Sequence, residues 1–250
     1  MRQHMLKSAD EEMSGIRVRG THVSRLEGLT DAVIGFAITL LIVSMEVPTS
    51  LDSLFAMVMG FPAFALTFML LTFIWFWHYR FFRQFGLNTG RIMWANGVLL
   101  FLVLLFVYPL KFLATVVVNY VILEGWFGVD MPDMISFRPE QFRHLHALYA
   151  SGFSAVFLCF VWFYRIALSA ADELGLSAFE RRSVEVHANM FLIVAVVPLL
   201  SIIIAYLPFT LAPMWAGWAS ILIWPLTAIY GRMVDKDLKA LQAQEEAADG

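Results

Sequence analysis

Residues 25–48 read RLEGLTDAVIGFAITLLIVSMEVP: an arginine and a threonine-aspartate pair run straight into an apolar segment that holds one more threonine and ends at a glutamate. The apolar part is long enough to cross a bilayer as a helix, which takes about 20 residues. A charge at the bilayer centre costs about 3 kcal/mol on insertion scales, so ionisable residues at such a helix are expected to face partners or water rather than lipid. Arg25 and Asp31 are the first candidates, with Glu46 at the far end.

The rest of the chain has the same character. Of its 250 residues 60% are hydrophobic and 15% charged, with a mean hydropathy of +0.73, whereas about half of a soluble domain is apolar. The composition is that of an integral membrane protein. Its apolar blocks have helical length and lack the strand alternation of a membrane barrel. Spans are predicted at about 29–46, 51–76, 93–120, 145–171, 184–207 and 211–234. The expected fold is therefore all-α and polytopic, with six transmembrane helices. Three regions follow: a tail over 1–24, of which 1–20 reads as mobile on the membrane surface; a transmembrane domain over 25–234; and a charged, Ala-rich tail over 235–250 that projects into water. Pro48 stops the first span, Ser50 or Asp52 is placed to cap the second, and the one long polar connection covers 124–143. The first span follows a polar tail and lacks a small-residue cleavage site, so it is not expected to be a signal peptide.

The net charge of −3 does not set topology, but the placement of Lys and Arg does. With six spans, Arg17, Arg19, Arg25, Arg80, Arg83, Arg165, Arg181, Arg182 and Lys236 fall on one side, and the opposite loops hold Arg138 and Arg143. Both termini are thus expected in the cytoplasm. Cys159, the one cysteine, lies in an apolar run and reads as a packed small hydrophobe.

Within the first span, Ala32, Phe36, Thr39, Val43 and Glu46 are spaced four, three, four and three residues apart, which puts them on one helical face. If several such helices surround an axis, Thr39 supplies a ring of oxygens able to replace part of an ion's hydration shell. Phe36 and Val43 then form apolar constrictions, and Glu46 forms an outer ring that attracts cations. The competing reading has Thr39 bonding the carbonyl one turn back while the stripe packs helix on helix. Likewise, Thr30 or Asp31 is able to act as a simple N-cap, which leaves Arg25 and a distant His78 unexplained.

No enzyme constellation is present: there is no Gly-rich phosphate loop, nucleophile elbow or H-E-x-x-H. His144-Leu145-His146 has a spacing found at metal sites but no carboxylate or cysteine to complete a ligand set, so neither a metal nor another cofactor is expected. There is no arginine ladder of a voltage sensor and no TVGYG-like carbonyl filter. Nothing predicts a nucleic-acid partner.

Arg25-x-x-x-Leu29-Thr30-Asp31, with Ile38-Thr39-Leu40-Leu41 and the Glu46-Val47-Pro48 ending, resembles the first-helix signature R-x-x-x-F-S-D of the transmembrane protein 175 family. These are potassium channels of bacteria, archaea and lysosomes. Trp75-x-x-His78, Trp94-x-Asn96 and Pro109 continue the likeness. The resemblance implies a six-helix subunit whose first helix lines the pore and, with one signature copy, assembly as a homotetramer. It also implies a network of Arg25, Thr30, Asp31, Trp75, His78 and Asn96 that braces that helix. Leu29 and Thr30 replace the family's Phe and Ser, and Phe36 stands where the family usually has a constricting Ile or Leu. The function implied is passive potassium conduction in a prokaryotic cell membrane, with the potassium ion, lipid and further copies of the chain as partners. Two alternatives remain at this level: a transporter relaying protons through Asp31, Glu46 and His78, and a scaffold that conducts nothing.

Overall fold

The computed structural model describes residues 16–45, 47–119, 125, 139–209 and 212–249. Its first helix, α1, covers Arg25–Val43 and starts earlier than the hydropathy suggests. Ser24 is the N-cap: its hydroxyl accepts from the Glu27 amide at 3.1 Å, and the Glu27 carboxylate accepts from the Ser24 amide at 2.8 Å. This reciprocal capping box satisfies two donors that a helix start otherwise leaves bare. Thr30 and Asp31 consequently lie inside the helix, and neither is its cap.

Helix α2, Leu51–Phe85, is capped by Ser50 and closed by Gly86 in the left-handed conformation (φ 60°). Helix α3, Gly90–Val116, begins at the Thr89 cap. Helices α4, Pro139–Ser169, and α5, Ala178–Ala205, form the most extensive pair in the bundle. Most of the connection expected at 124–143 lies outside the described residues. Apart from a turn at Gly125, the part that is described belongs to α4, so Arg143 is helical. The core is largely aromatic: Phe81 of α2 stacks on Phe163 of α4 at 5.1 Å, and Phe160 of α4 stacks on Phe191 of α5 at 5.2 Å. Gly152 of α4 accepts the Phe106 ring of α3 so closely that a Cβ there would lie 2.2 Å from it. Buried Cys159 packs among these apolar residues, as expected.

Five described helices, α1 to α5, are long and apolar enough to cross a membrane. The sixth segment has a different form. Helix α6, Ala212–Ala219, passes through a 3-10 turn, Ser220–Leu222, into α7, Ile223–Asp249. Backbone angles at Ala219 (−58°, −27°) and Ile223 (−54°, −46°) stay right-handed helical, so the chain tightens without breaking. Pro225 supplies the cause: it has no N–H for the Ile221 carbonyl and its ring crowds that oxygen. Helix α7 also runs through the tail expected to project into water. Glu245 there accepts from the Phe179 amide in the first turn of α5 at 2.9 Å, where a helix start favours negative charge.

Residues 1–15 of the N-terminal tail lie outside the described residues, but residues 16–24 form a strap that Ile16, Arg17, Arg19 and Gly20 pack against the bundle, where 16–20 are expected to be loose. Ile16 is fully buried. The Arg19 and Gly20 amides donate to the Gln84 and Arg83 carbonyls at 3.3 and 3.0 Å, satisfying acceptors that the end of α2 leaves open. A Cβ on Gly20 would lie 2.3 Å from the Phe82 carbonyl, so only glycine permits this approach. The Arg19 guanidinium grips Glu180 in α5 at 2.6 and 3.0 Å and donates to the Leu174 carbonyl at 2.9 Å. Glu180 also accepts from the Arg17 and Ser177 amides, so a nearly buried carboxylate is fully occupied. Arg19→Ala is expected to destabilise the fold by about 3 kcal/mol, because it strands a buried carboxylate. Arg181→Ala, which breaks the exposed pair with Asp172, is expected to cost at most about 1 kcal/mol. Thermal unfolding of both variants in detergent checks the contrast.

Candidate functional site

Helix α1 packs on α2 and α3 through one face. Its buried residues are Glu27, Thr30, Ile34, Ala37 and Leu41. At about 100° per residue these centre on the side opposite the stripe read from the sequence. Ala32, Phe36, Thr39 and Val43 are all exposed, with Phe36 at 59% and Val43 at 70%. The chain thus uses one side of α1 for its own packing and leaves the stripe uncovered. Glu46, the last expected member, lies outside the described residues. The Thr39 hydroxyl donates to the Gly35 carbonyl at 2.8 Å, the bond anticipated by the competing reading. Using its one proton inward, it keeps its oxygen lone pairs for the exposed side.

On the buried face, three elements meet at one polar chain. His78 of α2 contacts the Asn96 Oδ1 of α3 at 2.9 Å through Nε2. Asn96 Nδ2 donates to Thr30 Oγ1 of α1 at 2.9 Å, and Thr30 Oγ1 donates to the Leu26 carbonyl at 3.1 Å. An amide oxygen only accepts, so Nε2 carries the proton, and donors run in one direction from His78 to the α1 backbone. All three side chains are at most 1% exposed. Beside this chain, at the surface, Trp75 Nε1 donates to Asp31 Oδ1 at 2.7 Å.

Five of the six signature residues therefore meet within one subunit, in a buried triad and an exposed pair. Arg25 does not join them: it is exposed and has no hydrogen bond or ion pair among the described residues. Trp94, next to the triad in sequence, is 76% exposed. His144 and His146 turn to hydroxyls, those of Tyr206 at 3.0 Å and Ser201 at 2.8 Å. Among the described residues no three His, Cys, Asp or Glu side chains converge to hold a metal ion.

Two contacts were missed in reading the sequence. One is the strap ion pair, whose partners are 161 residues apart. Its one visible signal is the capping-box spacing of Ser177 and Glu180. The other is Lys111, which donates from α3 to Ser44 Oγ, at the end of α1, at 2.6 Å. A lone lysine inside an apolar span is itself a signal, because such a charge needs a partner.

Asn96→Leu is expected to cost about 3 kcal/mol, since it leaves His78 Nε2–H unpaired and takes a donor from Thr30. Trp75→Phe, which removes the exposed bond to Asp31, is expected to cost about 1 kcal/mol or less. Comparing melting temperatures of the two variants tests which limb holds α1.

Residues 25–107, which contain the stripe, the buried triad and the Trp75–Asp31 pair, match the family model described as "Endosomal/lysosomal potassium channel TMEM175". A potassium channel of Marivirga tractuosa is 33% identical over 234 residues, covering 89% of this chain and 92% of its own length. The crystal structure of the potassium channel MtTMEM175, solved as a variant with a nanobody–MBP fusion, matches with a TM-score of 0.80 at 31% identity, over 88% of this chain and 97% of that one. A lysosomal potassium-selective channel TMEM175 homolog from Chamaesiphon minutus is more distant, with a TM-score of 0.45 and 21% identity over 80% of this chain and 96% of its own. Likeness at this level over nearly the whole chain, together with five signature residues gathered where α1, α2 and α3 meet, means that the chain belongs to the TMEM175 family of potassium channels.

Proposed function

We propose that this chain is one subunit of a homotetrameric, potassium-permeable channel in a prokaryotic cell membrane, with α1 lining the pore. One observation carries the reading. The exposed stripe Ala32, Phe36, Thr39 and Val43 lies opposite the face by which the subunit packs α1. Four copies around an axis cover that stripe with one another. Phe36 and Val43 are then the apolar constrictions, gating by dewetting, and the Thr39 oxygens contact the dehydrating ion between them. Glu46 raises the cation concentration at the outer mouth.

The membrane orientation follows from where the basic residues gather. The strap brings residues 16–24, the end of α2 and the α4–α5 turn together at one end of the bundle, with Arg17, Arg19, Arg83 and Arg181 among them. By the positive-inside rule this end is cytoplasmic, and so are both termini. Arg25 lies in angular phase with the stripe, at the inner mouth, and its exposure leaves it for contact between subunits. The transporter alternative is poorly supported by the hydrogen bonding, since the His78 bond leads through Asn96 to a backbone carbonyl and not to Asp31.

The test is potassium flux into proteoliposomes holding the purified protein. Phe36→Ala is expected to raise flux about tenfold, equivalent to lowering the barrier by about 1.4 kcal/mol, and Thr39→Ala to shift the potassium-to-sodium ratio. Wild-type flux and selectivity in both variants would overturn the pore assignment, and flux that needs a proton gradient would favour a transporter. Native mass spectrometry in mild detergent checks the subunit number, for which four is expected.

A further inference from the structure

We propose that Lys111 is a positioning and entry-controlling residue for ion conduction: it clamps the outer end of α1 to α3 through Ser44, and its charge limits cation entry from that side. The inference rests on the pore reading of α1 and extends it to the outer mouth.

Lys111 lies within α3, Gly90–Val116, on the end of the bundle away from the strap. A lysine there runs against the inward bias of basic residues and carries a desolvation cost, so its position needs a compensating partner. That partner is the end of the stripe helix. The ammonium donates to Ser44 Oγ at 2.6 Å, and Ser44 Oγ donates to the Leu41 carbonyl at 2.7 Å. Ser44 is the C-cap of α1, and α1 has no basic residue of its own in its last turn. A helix end carries a partial negative charge on its open carbonyls, and Lys111 supplies from α3 the cation that α1 lacks.

Two consequences follow. Mechanically, the buried triad holds α1 near its inner end, and the Lys111–Ser44 bond is a second fixed point beyond the stripe. Phe36, Thr39 and Val43 lie between the two fixed points, so their orientation depends on both. Electrostatically, Ser44 directly follows Val43, the last described member of the stripe. Four subunits therefore bring four ammonium groups to the level of the outer mouth, each on the α3 side of α1. A unit charge about 10 Å away in water changes the local concentration of a monovalent cation by about twofold, an effect that salt screens out.

The two roles separate by substitution. Lys111→Gln keeps a donor for Ser44 and removes the charge, whereas Ser44→Ala keeps the charge and removes the acceptor. In planar bilayers, Lys111→Gln is expected to raise unitary potassium current from the outer side about twofold or more at low salt, with the gain lost at high salt. Ser44→Ala is expected to alter the open probability and to lack the salt-dependent gain in current of Lys111→Gln, and Lys111→Arg to retain wild-type behaviour in both measures. A Lys111→Gln current equal to wild type at low salt, or a gain that persists at high salt, would overturn the entry role. Unchanged gating in Ser44→Ala would overturn the clamp. Phe36→Ala recorded in the same bilayers separates the two proposals: if it alters current while the Lys111 and Ser44 variants do not, only this inference fails. A double-mutant cycle of Lys111→Met and Ser44→Ala on melting temperature tests the contact without conduction. Non-additive shifts are expected, and strictly additive ones would overturn the clamp.

Discussion

The arrangement depends on a single polar contact chain buried where α1, α2 and α3 meet. His78, Asn96 and Thr30 each lack solvent, and each has its hydrogen-bonding need met by the next. Unpaired, any one of them would cost about 1–3 kcal/mol, so the three side chains hold one another in register. An apolar contact at the same place would tolerate rotation of α1, because dispersion is non-directional and the faces of an apolar helix are nearly equivalent. Hydrogen bonds are directional, and these three fix which side of α1 turns inward. The stripe of Phe36, Thr39 and Val43 is left outside because Thr30, Ile34 and Leu41 are held inside.

The N-terminal end of α1 is also covalently continuous with a clamped segment. Arg19 and Gly20 tie the chain just before Ser24 to the end of α2 and the start of α5. Strap, cap and the α1 member of the triad, Thr30, thus follow one another within residues 16–30. The α4–α5 pair, with its stacked aromatic rings, is the rigid body to which the strap is tied, and α7 returns along it through Glu245. The helices farthest in sequence from α1 therefore contribute to placing it, by way of Glu180.

Much of the fold was legible from residue types alone. Helix-length apolar blocks leave the backbone only one way to satisfy its polar groups in lipid, so the class and most span positions followed from hydropathy. The deviations have specific causes. The first span begins at Arg25 because Ser24 and Glu27 form a capping box, and caps are polar signals that a hydropathy average passes over. The last segment tightens at Ser220–Leu222 because Pro225 withholds one hydrogen bond. The N-terminal tail reads as loose and the C-terminal one as projecting into water because both are charged, yet charges that find partners 161 and 66 residues away in sequence become structure.

For the site, the sequence determined the chemistry and the tertiary structure determined the pairing. The helical repeat alone put Phe36, Thr39 and Val43 on one face, and the resemblance to the family signature brought Thr30, Asp31, Trp75, His78 and Asn96 forward as a set. What the sequence left open was which of these touch. Thr30 and Asp31 are adjacent in the chain, yet one belongs to a buried triad and the other to an exposed pair, because adjacent residues on a helix point about 100° apart. Arg25 shares the signature but not the contacts. Lys111 and Arg19 carry no motif, and only packing made them partners of Ser44 and Glu180. Periodicity is a property of one helix and can be read along it; a hydrogen bond between helices depends on how both are turned, which the whole bundle sets.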